Sequence, residues 1–102
     1  MDKTAIRIYE PGKVHDEETS SLSFGAARKR IGGWVEVHSM GDLVVFCDEE
    51  GRLKQMEPSV NIGGTVFVGP VLLGKMSEEG DLMGVPPQAL NEFERKYSVQ
   101  CL

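Results

Sequence analysis

The sequence predicts an α+β domain, a mostly antiparallel sheet of about five to six strands with two covering helices. Three observations point there. Short runs rich in Val, Ile, Phe and Trp recur along the chain, and turn residues such as Pro11-Gly12, Gly41-Asp42 and two Glu-Glu-Gly triplets punctuate them. Two other segments carry apolar residues at helical spacing instead. A chain of 102 residues, 40% of them hydrophobic, can bury one modest core, so a single domain over residues 1–102 is expected.

Thr4 to Tyr9 sets Thr4, Ile6 and Ile8 against Ala5, Arg7 and Tyr9, the alternation of a half-buried strand that Pro11-Gly12 then stops. His15 to Ser23 is polar and acidic. After it Leu22, Ala26, Ala27 and Ile31 fall near helical spacing, with Ser or Thr to cap, Arg28, Lys29 and Arg30 in the last turn and Gly32-Gly33 beyond. This predicts a helix over residues 20–31, roughly, with its basic end matched to the helix dipole.

Trp34–Ser39 and Leu43–Asp48 predict a hairpin. Asp48-Glu49-Glu50-Gly51-Arg52 fits a three-residue turn with Gly51 left-handed and Asp48 opposite Arg52, followed by a strand over Arg52–Met56. Thr65 to Leu73 predicts a buried strand bent at Gly69-Pro70, because proline lacks the ladder donor. Ser77-Glu78-Glu79-Gly80-Asp81-Leu82 repeats the Glu-Glu-Gly turn before a short strand at Leu82-Met83. Gln88 to Tyr97 places Ala89, Leu90, Phe93 and Tyr97 on one helical face, and residues 98–102 are expected to form a flexible tail.

Sixteen acidic and eleven basic residues give a net charge of -5, which repels phosphate backbones and makes nucleic acid an unfavourable partner. The charge is too sparse to imitate nucleic acid, which carries one phosphate per ~1.7 Å. The longest apolar stretch, Val66 to Leu73, is far short of the ~20 residues of a membrane helix. With no signal-peptide pattern in Met1-Asp2-Lys3-Thr4-Ala5-Ile6 and no disulfide framework from Cys47 and Cys101, a reducing cytoplasm is the expected compartment.

The order Gly32-Gly33-Trp34-Val35-Glu36-Val37, Leu43-Val44-Val45-Phe46-Cys47-Asp48-Glu49-Glu50-Gly51, Val68-Gly69-Pro70-Val71-Leu72-Leu73, Glu79-Gly80-Asp81-Leu82 and a terminal helix resembles a family of small, uncharacterised domains of bacteriophages and other mobile elements. The likeness runs from about Thr4 to Tyr97, in turn and core patterns without chemistry. Where that family often has Pro-Pro-Asn, this chain has Glu57-Pro58-Ser59, with its asparagine at Asn61. The resemblance implies a small protein made inside a bacterium that binds a host factor or a host signal.

Alternation puts Trp34, Glu36 and His38 on one strand face, where side chains at i and i+2 stand ~7 Å apart. Glu36 and His38 can flank a ligand there and Trp34 can stack on it; the plainer alternative is an exposed face with Trp34 packed on the first helix. Asn61-Ile62-Gly63-Gly64-Thr65 offers backbone donors to an anion, or is simply a connection, and Arg28 and Arg30 would supply charge. Cys47 serves as a nucleophile only if exposed and paired with His38, so no catalytic residue, metal ligand or cofactor is assigned. The expected function is non-enzymatic capture of a small anionic or nucleotide ligand, at a homo-oligomer interface because so small a domain has little room for a deep pocket. The alternatives are an inhibitor that masks a host protein through the acidic turns at Asp48–Glu50 and Glu78–Glu79, and a small hydrolase using Glu36 and His38.

Overall fold

The computed structural model describes residues 3–102; Met1 and Asp2, part of the segment read for a signal peptide, lie outside the described residues. In chain order these residues form β1 (Ala5–Glu10), β2 (Lys13–Glu18), β3 (Ser21–Leu22), α1 (Phe24–Ile31), β4 (Val35–Met40), β5 (Leu43–Asp48), β6 (Pro58–Ile62), β7 (Thr65–Val68), β8 (Val71–Met76), β9 (Leu82–Met83), α2 (Pro87–Lys96) and β10 (Gln100–Cys101). The α+β class and the presence of two helices match the expectation, and the strand pairings are antiparallel, but the first helix starts at Phe24 instead of near residue 20, with Ser21 and Leu22 paired to β9 as β3.

The strands divide between two sheets. The larger runs β2-β1-β8-β5-β4, with β9 on β8 and β3 on β9; the smaller runs β10-β6-β7. Gly69-Pro70 is the point of division. Gly69 takes a left-handed φ of 69°, so the strand expected to bend there leaves one sheet as β7 and enters the other as β8.

Side-chain alternation along β1, β5 and β8 builds a core on each face of the larger sheet. Ile6, Ile8, Val44, Phe46 and Leu72 meet Ala27 and Ile31 of α1 on one face. Tyr9, Val45, Cys47, Val71 and Leu73 meet Val60, Ile62 and Phe67 of the smaller sheet and Leu90 and Phe93 of α2 on the other. The single half-buried face expected for β1 is therefore corrected. β1 is covered on both sides, with Arg7 facing the same side as Tyr9 and held by charge.

Further expectations change. Residues 49–55 form no strand but a run of turns: Gly51 N–H donates to Asp48 O, Lys54 N–H to Glu50 O and Met56 N–H to Gly51 O. Gly51 is not left-handed, whereas Gly80 of the similar turn is, at φ 90°. His15 to Ser23, expected only to be polar and acidic, begins inside an edge strand, Lys13–Glu18, whose charged side chains discourage pairing with another chain. In the segment read as a tail, Gln100 and Cys101 pair with Asn61 and Val60. No helix among the described residues is long and apolar enough to cross a membrane.

Candidate functional site

Two surface grooves lie beside residues expected to bind a ligand, one on each side of the larger sheet. The first lies on α1. Ser23 caps that helix by accepting a hydrogen bond from Ala26 N–H, and Gly32 ends it in a left-handed turn at φ 88°, its N–H donating to Arg28 O. This geometry brings Arg28 back over Trp34, its guanidinium carbon 3.7 Å from the ring centroid, a cation–π contact. The indole remains 59% exposed, and its backbone is fixed by Glu49 N–H donating to Trp34 O. An open groove of about 470 Å³ lined by Gly25, Arg28, Lys29, Gly32 and Gly33 runs beside it. Arg30 points elsewhere. It forms a two-pronged pair with Glu17 of β2, which lowers the Glu17 pKa and raises that of Arg30.

The second groove lies between the edge strand β4 and β7 of the smaller sheet. It holds about 210 Å³ and is lined by Glu36, His38, Cys47, Arg52, Leu53 and Phe67 among others. Glu36 sits directly opposite Cys47 in the ladder, and His38 follows two residues on, facing the same way. His38 Nε2 is 3.1 Å from Glu36 Oε2, and the Cys47 thiol donates to the same oxygen across 3.7 Å. The imidazole stands edge-on to Phe67, centroids 5.1 Å apart. Arg52 donates from Nη2 to Val66 O at the rim.

Cys47 is only 5% exposed, and burial, followed by the charge and hydrogen bond of Glu36, pushes its thiol pKa up to about 12. The exposure that nucleophilic use of Cys47 requires is missing, although His38 is close. Trp34 does not line this groove. The expected trio of Trp34, Glu36 and His38 is therefore split, because β4 begins at Val35 and the indole preceding it turns to Arg28.

Asn61, Gly63 and Gly64 form a third, separate place, the β6–β7 turn. Both glycines are left-handed, at φ 60° and 91°, and both N–H groups are engaged, Gly63 with Tyr97 O and Gly64 with Asn61 Oδ1. The loop thus presents neither of the two donors expected for an anion. At the first acidic turn the Asp48 side chain is buried, accepting from Glu50 N–H and pairing with Lys54 at 2.8 Å instead of with Arg52.

Sequence reasoning missed the place of Cys47 beside Glu36. The signal was present: a two-residue turn at Gly41-Asp42 pairs Met40 with Leu43, and counting back along that register sets Glu36 against Cys47.

Fold and surface together define a small two-sheet α+β domain with open surface grooves. The model of a family described as Domain of unknown function (DUF3846) matches residues 4–98, and the chain belongs to that family. The expectation of an uncharacterised family is met. Comparison with curated proteins and with solved structures returns no match.

Proposed function

We propose that this domain is a non-enzymatic binding protein that captures a small anionic ligand bearing an aromatic ring, a nucleotide being the fitting class, at the corner formed by Arg28, Lys29 and Trp34. The observation that supports the reading is the Arg28 guanidinium at 3.7 Å over an indole that is still more than half exposed. A base can stack on the open indole surface, an interaction worth about 1–3 kcal/mol. Arg28 and Lys29 have no carboxylate partner among the described residues, so their charge is available to a phosphate once it has offset the negative end of α1. Gly25, Gly32 and Gly33 leave the groove wide. Because the groove is open, a second copy of the chain completing it belongs to the same reading. So does the setting, a phage or mobile-element protein that withdraws a nucleotide signal inside a bacterial host, which follows from the sequence resemblance.

Trp34 is the sole tryptophan, so its fluorescence reports the site directly. Titration with a panel of cyclic and linear nucleotides is expected to give saturable quenching by at least one of them. Arg28→Ala is expected to weaken that binding about tenfold, the loss of roughly one charge-assisted contact. Unchanged fluorescence and no titration heat across the panel would reject the nucleotide reading.

A further inference from the structure

We propose that Glu36 Oε2, His38 Nε2 and Cys47 Sγ form a three-ligand site for a divalent transition-metal ion of the zinc class, with the fourth position open to the groove between β4 and β7. The three ligand atoms lie within 4.8 Å of one another. Bond lengths of about 2.3 Å to sulfur and about 2.0 Å to nitrogen and oxygen give a tetrahedral site edges of roughly 3.3–3.5 Å. The separations present, 3.1 Å from nitrogen to oxygen and 3.7 Å from sulfur to oxygen, bracket that range before any ion has drawn the groups together.

The backbone places the ligands. Glu36 and Cys47 face each other across the β4–β5 ladder, and His38 lies two residues along the same face, so one hairpin register sets all three. Phe67, from the other sheet, holds the imidazole edge-on. A groove of about 210 Å³ leaves room for a water or a ligand oxygen on the ion.

Charge and ligand type agree. A carboxylate and a thiolate together neutralise a divalent cation, so the occupied site adds no net charge to a half-buried place. Without the ion, the carboxylate beside the buried Cys47 favours the protonated thiol, which donates to Glu36 Oε2. A bound cation reverses this preference: the metal–sulfur bond forms as the S–H bond breaks, and the proton leaves to solvent. A mixed nitrogen, oxygen and sulfur set suits zinc or cobalt and disfavours magnesium and calcium, which take oxygen alone. The site shares no residue with the Arg28–Trp34 corner, so either reading can fail while the other stands.

Cobalt(II) titration of the full chain tests it, with the exposed Cys101 replaced by serine so that the remaining thiol is Cys47. One equivalent of cobalt is expected to produce a thiolate-to-cobalt charge-transfer band in the near ultraviolet and visible d–d bands of four-coordinate strength. Zinc should erase both, and excess magnesium neither. His38→Ala and Glu36→Gln alter side chains on an exposed edge strand and should keep the circular dichroism of the parent while weakening cobalt binding about tenfold or more, at least the cost of losing an outer-shell partner. Cys47→Ser should abolish the charge-transfer band. The proposal is overturned by the absence of any band at stoichiometric cobalt. It is equally overturned by a band that survives both folded edge-strand variants, or by one that appears only when Cys101 is present.

Discussion

Tyr9 is fully buried, yet its hydroxyl reaches Glu94 of α2 at 2.7 Å, and Arg7 two residues earlier on β1 pairs with Glu94 at 3.0 Å and with Asp16 of β2 at 2.6 Å. These four side chains tie β1 to the strand beside it and the helix above it, which suits a structural network more than a ligand site, since its donors and acceptors face one another. Burial, then the bond to Glu94, pushes the Tyr9 pKa far above its ordinary 10.0. The unfolded chain therefore loses this proton first as pH rises. The stability due to Tyr9 is complete below about pH 10 and declines above it, toward the raised pKa of the folded state. Tyr9→Phe removes the titrating group and leaves Glu94 to Arg7. Urea midpoints measured across the alkaline range should fall with pH in the parent and stay flatter in Tyr9→Phe; parallel curves would place the alkaline loss elsewhere.

At the scale of elements, α1 is only eight residues long and depends on its caps. Ser23 supplies the one side-chain bond at its start, and Ser23→Ala is expected to cost about 1 kcal/mol, read as a lower urea midpoint with unchanged slope. The two helices, the β4–β5 hairpin and the Gly80 turn were legible because each is specified locally, by caps, an apolar face or a left-handed glycine. Lys13–Glu18 was not, because an edge strand with its side chains in water shows no apolar alternation; what identifies it is its pairing with β1, Arg7 opposite Asp16. Gly51 misled because of the side chain that precedes its triplet. Its triplet is the same as that of Gly80, but Asp48 accepts from Glu50 N–H and binds Lys54, so the chain continues through successive turns. In the candidate sites, alternation correctly joined Glu36 to His38. Cys47 needed the hairpin register, and the Arg28–Trp34 contact needed the end of α1 folded back over the start of β4.

For the molecule as a whole, the two sheets clasp one core between them, and Cys47 faces into that core from β5, a strand bonded on both sides. Cys101 lies on β10, the edge of the smaller sheet, exposed. The two thiols therefore report different openings of the same structure. A bulky aromatic disulfide reagent should modify Cys101 promptly, at a rate reduced because burial and the Glu94 charge raise its pKa. Cys47 is both covered and protonated, and a reagent larger than a metal ion reaches it only when the smaller sheet parts from the larger. Its labelling, followed by mass spectrometry in the absence of metal, is then expected to require an opening whose free energy approaches that of global unfolding and falls with urea at a similar slope. Labelling of Cys47 at low urea, with almost no dependence on denaturant, would mean that the smaller sheet lifts away by itself and that the groove between β4 and β7 widens in the native state.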